Sequence, residues 1–189
     1  MKYHKNNNFD FSRRFSNSNT ITPIQTEEPL VKPETIVPKK AIKLAIVGAS
    51  GLVGTTVLKV LEKKNLPIDE YVFFSSKKSA GKTLDFMGQV YEIRELTEDS
   101  LKDNFNYAIF CAGSEVSKKY APIAVDNGCI VIDNSSYYRM NQNVPLVVPE
   151  VNPEDINYHN GIIANPNCST IQAVVALKPL HEKYKIKRI

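Results

Sequence analysis

Long apolar runs are missing from this 189-residue chain. None approaches the roughly 18–20 residues of a membrane-spanning helix, so that class is excluded. The longest helical pattern, from Ile171 onward, carries Lys178, His181 and Glu182 and is amphipathic. Cysteine is scarce: three residues, at 111, 129 and 168, with no C-x-x-C spacing. An odd, sparse count excludes a disulfide framework and a zinc site, so no metal is expected, and it fits a reducing, cytoplasmic setting. Cys111 and Cys129 sit in or beside apolar strand patterns and are expected in the core.

A basic stripe is missing too. The net charge is +4, but residues 1–40 account for a surplus of three and the remaining chain for a surplus of one. With no aromatic ladder either, nucleic acid is excluded as a partner. Residues 1–40 show no amphipathic period and carry Pro23, Pro29, Pro33 and Pro38, which forbid a continuous helix. They are expected to form a disordered tail or linker. The acid-poor, Arg- and Ser-containing start leaves a plastid or other organelle address as the alternative to a cytoplasmic location, and lacks the apolar stretch of a secretory signal.

What is present begins at Ala41. The run AIKLAIV (41–47) fits a buried parallel strand, and Gly48-Ala49-Ser50-Gly51-Leu52-Val53-Gly54 follows it. Helical spacing of Val53, Val57, Leu58, Val60 and Leu61 runs on to Lys64. Strand, glycine turn and helix together point to a dinucleotide site, since glycines let the backbone approach a pyrophosphate at a helix N-terminus. A plain tight turn is the alternative. The next strand, EYVFF (70–74), ends in Ser75-Ser76-Lys77-Lys78-Ser79-Ala80-Gly81-Lys82 with no carboxylate for ribose hydroxyls. Hydroxyls and cations suit a 2′-phosphate, which favours NADP; a solvated basic loop is the other reading.

A hairpin around Met87-Gly88 is expected within 83–95, then strands at 107–111 and 130–132 separated by a helix from Glu115 to Asp126 that Ser114 caps. Alternating strands and helices predict an α/β fold, a Rossmann-like doubly wound parallel sheet. Ligands then gather beyond the carboxyl ends of the strands, where the loops 48–54, 75–82, 112–114, 134–139 and 165–168 all fall.

The last of these loops is Asn165-Pro166-Asn167-Cys168-Ser169-Thr170. It lies between a short apolar strand (161–164) and the helical pattern after Ile171, which places Cys168 near the first turn of a helix. Unpaired N–H groups there favour thiolate over thiol, as a nucleophile requires. A small buried thiol is the bland alternative. Arg139, on the 134–139 loop, is a candidate for phosphate or carboxylate, with an exposed structural arginine as its alternative.

These segments resemble those of the aspartate-semialdehyde dehydrogenase family in its bacterial-type branch: GASGLVG (48–54), SSKKSAGK (75–82), DNSSYYRM (133–140), VPLVVPEVN (144–152) and NPNCST (165–170). The resemblance covers residues 41–189. It implies an NADP-binding domain over 41–167 and, over 168–189, a nucleophile helix opening a catalytic and dimerisation domain. It implies reductive dephosphorylation of aspartyl phosphate to aspartate semialdehyde, in lysine, threonine and methionine biosynthesis. Cys168 forms a thioester, Asn167 orients the substrate and Arg139 binds its phosphate. Gly48, Ser50, Gly51, Leu52, Val53, Gly54, Ser76, Lys78 and Ser79 hold the cofactor. Small molecules are the implied partners, and the full-length enzyme is implied to be a homodimer or homotetramer. N-acetylglutamyl-phosphate reductase shares the chemistry but surrounds its cysteine differently; a non-enzymatic NADP-binding module leaves NPNCST without a purpose. Lys78 stands where an arginine is usual in the family, which keeps charge but loses the fork. Tyr137-Tyr138 replaces an Ala-Phe pair.

Family members are nearly twice as long, and their second half supplies a histidine base. Here His4 lies in the tail, His159 precedes the strand at 161–164, and His181 stands 13 residues beyond Cys168, about 20 Å along a helix. The chain is therefore expected to be an N-terminal portion with little turnover of its own, ending in a strand begun at Lys185.

Overall fold

The computed structural model describes residues 41–189, so the expectations for the tail, its address and His4 lie outside the described residues. Seven strands form one sheet: β1 (Lys43–Val47), β2 (Glu70–Ser75), β3 (Thr83–Phe86), β4 (Gln89–Glu95), β5 (Tyr107–Phe110), β6 (Ile130–Asp133) and β7 (Ile162–Ala164). Their order is β3-β4-β2-β1-β5-β6-β7, parallel throughout except for the antiparallel β3–β4 hairpin. Three α-helices accompany them: α1 (Leu52–Lys64), α2 (Ser114–Asp126) and α3 (Cys168–Tyr184). None of the described helices is long and apolar enough to cross a membrane.

The alternation of β1 explains the double winding. Leu44 and Ile46 pack with Leu58 and Leu61 of α1, whereas Ala45 and Val47 pack with Ala121 and Ala124 of α2. From β1 the chain passes through α1 to β2 on one side, and from β5 through α2 to β6 on the other. Right-handed crossovers in opposite directions put the two helices on opposite faces, as this two-sided burial requires. The expected fold class is thus the observed one. At the hairpin, Met87 and Gly88 both adopt positive φ (50° and 74°), the geometry a two-residue turn demands. The hairpin delivers Phe86 edge-on to Tyr71 and Phe73, at 4.8 and 5.4 Å between ring centres.

Two local expectations change. Gly113, at φ 94°, takes the N-cap position of α2, so Ser114 is already helical; from there its hydroxyl meets Ser136 Oγ at 3.0 Å instead of capping. The expected strand after Lys185 is not formed either. Lys185 turns left-handed at φ 54° to end α3, and no strand of the sheet takes up the segment beyond it. Extended chain without a neighbouring edge has nothing to pair its amides.

α3 differs from the other helices in burying none of its residues. Its apolar side chains surround the axis, with Val175 and Leu180 exposed and Ile171, Val174 and Leu177 half-buried.

Candidate active site

The register lines up one edge of the sheet. Val47 lies opposite both Phe74 and Phe110, Phe110 opposite Asp133, and Asp133 opposite Ala164. The next residues, Ser75, Gly48, Cys111, Asn134 and Asn165, therefore begin five adjacent loops at the carboxyl end. The strand order reverses between β1 and β5, the place where such sheets take ligands.

Around that reversal the packing is backbone on backbone. The N–H groups of Gly48 and Ala49 both donate to Phe74 O, at 2.8 and 3.1 Å. Gly48 has φ 88°, and a Cβ there would stand 2.9 Å from Ala112 N. A Cβ on Gly54 would overlap Gly48 O, so only glycine lets the start of α1 lie flush on the loop. The N–H groups of Leu52, Val53 and Gly54, in the first turn of α1, have no intrahelical acceptor and suit an anion. The side chains of Leu52 (86% exposed) and Val53 point away from the core, so any role in binding falls to their backbone. Ser50 Oγ and Ser75 Oγ are 2.7 Å apart and tie the glycine loop to the end of β2. A cleft of about 450 Å³ opens here, lined by Gly48, Ser50, Gly51, Ser76, Cys111 and Tyr120 among others. Lys78 and Ser79 lie on the turn that follows, where Ser79 N donates to Ser76 O at 2.9 Å. Lys78 is exposed, and among the described residues it forms no ion pair.

The other end of the edge holds the candidate nucleophile. Asn167 is the N-cap of α3, its Oδ1 accepting from Ser169 N at 2.9 Å, and Cys168 is the first helical residue with an exposed thiol. The other two cysteines are more buried. Burial pushes the Cys129 thiol up from 9.0 to about 12. Burial also pushes Cys111 up to about 11, opposed by a hydrogen bond from Asn134 and reinforced by the charge of Asp133. Cys129 is core, as expected, but Cys111 is only half-buried and lines the cleft, because it stands one residue past the end of β5.

Arg139 is half-buried between these loops. Its Nε donates to Asn165 O and its Nη2 to Asn134 O, both at 3.0 Å. Among the described residues no carboxylate pairs with it. Beneath lies Asp133, fully buried, accepting from Ser117 Oγ (2.6 Å), Ser135 N (3.0 Å) and Ser135 Oγ (2.8 Å). Sequence reasoning does not single out Asp133, Asn134 or Asn165. Their signal is faint: an acid closing an apolar strand and two asparagines in loops. Tyr138 is buried in the α2-side core, and Tyr137 meets it edge-on at 4.8 Å.

Among the described residues no histidine is brought to Cys168. His159 precedes β7, its Nδ1 accepting from Gly161 N at 3.0 Å, at the opposite end of that strand from the cysteine. His181 lies in the last turn of α3.

Comparison with known proteins gives the family and supports the fold. Residues 43–159 match the family described as semialdehyde dehydrogenase, NAD binding domain. An aspartate-semialdehyde dehydrogenase of Aquifex aeolicus is 53% identical over 149 residues, 78% of this chain and 44% of the relative. One of Bacillus subtilis is 49% identical over 150 residues, 79% of this chain and 43% of the relative. The crystal structure of aspartate semialdehyde dehydrogenase II from Vibrio cholerae superposes with a TM-score of 0.72 at 46% identity, over 76% of this chain and 43% of that one. The Candida albicans enzyme, solved with NADP, gives a TM-score of 0.64 at 27% identity, over 78% and 48% of the two chains. The chain thus spans about half the length of the curated relatives it matches.

Proposed function

This chain belongs to the semialdehyde dehydrogenase family, and on that premise we propose that its chemistry is the NADPH-dependent reductive dephosphorylation of 4-aspartyl phosphate to aspartate semialdehyde. The observation that carries the reading is the shared edge: an exposed thiol opening α3 and an arginine without a carboxylate stand on loops adjoining the dinucleotide cleft.

The residues fit a dinucleotide, because Gly54 leaves no room for a side chain between loop and helix and the first turn of α1 offers free N–H groups. Gly48 and Gly51 shape the loop so that the backbone can come close, and the amides of Leu52, Val53 and Gly54 hold the pyrophosphate. Ser50 fixes the loop, while Ser76, Lys78 and Ser79 meet the 2′-phosphate. Bound there, NADPH supplies the hydride for reduction. Arg139 draws in the substrate's phosphate, which a guanidinium can grip with two parallel bonds. The Cys168 thiolate attacks the acyl carbon; a C–S bond forms, the C–O bond to phosphate breaks, and phosphate leaves with the electron pair. Asn167 spends its side-chain oxygen on the helix cap, which leaves its amide group to orient the substrate.

Neither His159 nor His181 is placed to move a proton at Cys168, so the base comes from outside residues 41–189. We divide the chain into a cofactor domain over 41–167 and a nucleophile segment over 168–189, and take the working enzyme to be a cytoplasmic homodimer or homotetramer.

The test is acylation of the chain itself. Exposure to aspartyl phosphate is expected to add one acyl group, located on Cys168 by mass spectrometry, released by hydroxylamine and absent from Cys168→Ser. Acylation by acetylglutamyl phosphate but not aspartyl phosphate would transfer the reading to the sister substrate. No adduct with either when the residues that supply the base are present would end it.

A further inference from the structure

Two of the five N–H donors of Arg139 are turned away from any ligand and toward backbone carbonyls on two different loops. We propose that Arg139, Asn134 and Asn165 form a clasp that fixes the nucleophile's loop to the end of β6, making Arg139 a positioning residue for Cys168 as well as an anion site. The anion role rests on the function proposed above; the clasp does not.

Up to Ala164 the chain is held by β6 on one side and by Pro145 and Val147 on the other, and the clasp takes over beyond it. β7 has three residues, and the helix that follows it buries none of its side chains. Pro166 is buried but lacks an N–H, so the backbone can donate no hydrogen bond at that point. Asn165 takes over that task. Its N–H donates to Asp133 O at 2.8 Å, its carbonyl accepts from Arg139 Nε, and its Nδ2 donates to Asn134 Oδ1 at 2.7 Å. Asn134 in turn is held by β5, its N–H and Nδ2 both reaching Phe110 O at 3.0 and 3.2 Å. Asn134 and Asn165 can meet because they follow Asp133 and Ala164, which are partners in register. The loop leading to Arg139 is anchored from below by the buried Asp133 carboxylate through Ser135. With no α3 residue fully buried, Asn165 and the buried Pro166 set the place of Cys168 over the sheet more than the packing of its own helix does.

A lysine at 139 keeps the charge but cannot reach two carbonyls in fixed planar geometry. That separates clasp from charge. In the 189-residue chain, without substrate, amide hydrogen exchange at position 165 and at Ser169, whose N–H groups are bonded, is expected to rise about tenfold or more in both Arg139→Lys and Asn165→Ala, as local opening becomes easier. Alkylation of Cys168 at about pH 7.5 is expected to change by about threefold or more in both, because the loosened loop no longer holds the sulfur at one place. Exchange in β1 and α2 should stay at the wild-type rate. Wild-type exchange at positions 165 and 169 in either variant, or a rise spread equally over β1 and α2, overturns the proposal. The measurements use no acyl phosphate, so they test the clasp whichever substrate the site takes.

Discussion

At the β2–β1–β5 end of the carboxyl edge the loops are held by backbone against backbone, with Gly48 and Ala49 amides on Phe74 O and Gly54 pressed to Gly48. At the β6–β7 end the fastening is by side chains, with Arg139, Asn134 and Asn165 bridging two loops and Asp133 buried beneath them. The contrast has a chemical basis. A dinucleotide presents a long anionic backbone that amides can follow, so the protein brings its own main chain close and discards side chains. A nucleophile must be held at one point beside a small anion, and planar guanidinium and amide groups fix a point better than a flexible loop does. The first end should therefore fail when bulk is added, the second when a fork or amide is lost.

The largest effect should come from adding bulk at the first end. Gly54→Ala drives a methyl group into Gly48 O and Ala49, a strain of about 1–3 kcal/mol. Titration with NADPH is expected to show affinity reduced by roughly 5- to 150-fold, while exchange at 165–169 stays unchanged. Loosening at both ends together would break the comparison, since it would mean that the edge moves as one unit.

A smaller effect is expected from the exposed Lys78. Lys78→Ala should lower NADPH affinity about fivefold while leaving NADH nearly untouched, the scale of a solvated charge pair. The difference should shrink at high salt. An equal loss for both cofactors would assign Lys78 to the loop's shape instead of to the 2′-phosphate.

A change in stability rather than in affinity marks the seam between the ends, where Asn134 Nδ2 lies 3.6 Å from Cys111 Sγ. Folding holds Cys111 and Cys129 as neutral thiols, with values raised from 9.0 to about 11 and about 12. Their contribution is fully present below pH 9 and is lost as pH rises through the folded values, because the unfolded chain releases those protons first. Denaturation midpoints should fall from pH 9 upward, by about 1 kcal/mol per group for the first unit. In Cys111→Ala/Cys129→Ala the decline should be flatter, read from urea melts at about pH 8 and 10.

Much of this is legible locally. The two-sided burial of β1 follows from its unbroken apolar run, and the hairpin turn from Met87-Gly88. The glycine loop is legible because its function restricts residue type within seven consecutive positions, and Cys168 because Asn167 before it is a helix cap. Ser114 departs from expectation for a local reason as well: Gly113 adopts the capping position, and one residue of shift redirects a hydroxyl from its own helix to Ser136. Cys111 departs because one position past a strand end separates core from cleft.

The sequence by itself determined the elements, the cofactor loop and a cysteine opening a helix, since each depends on periodicity or steric limits within a few residues. The tertiary structure alone decided what Arg139 does. Its acceptors, Asn134 and Asn165, lie 31 positions apart and meet only because β6 and β7 align in register, a relation between strands that no local pattern encodes.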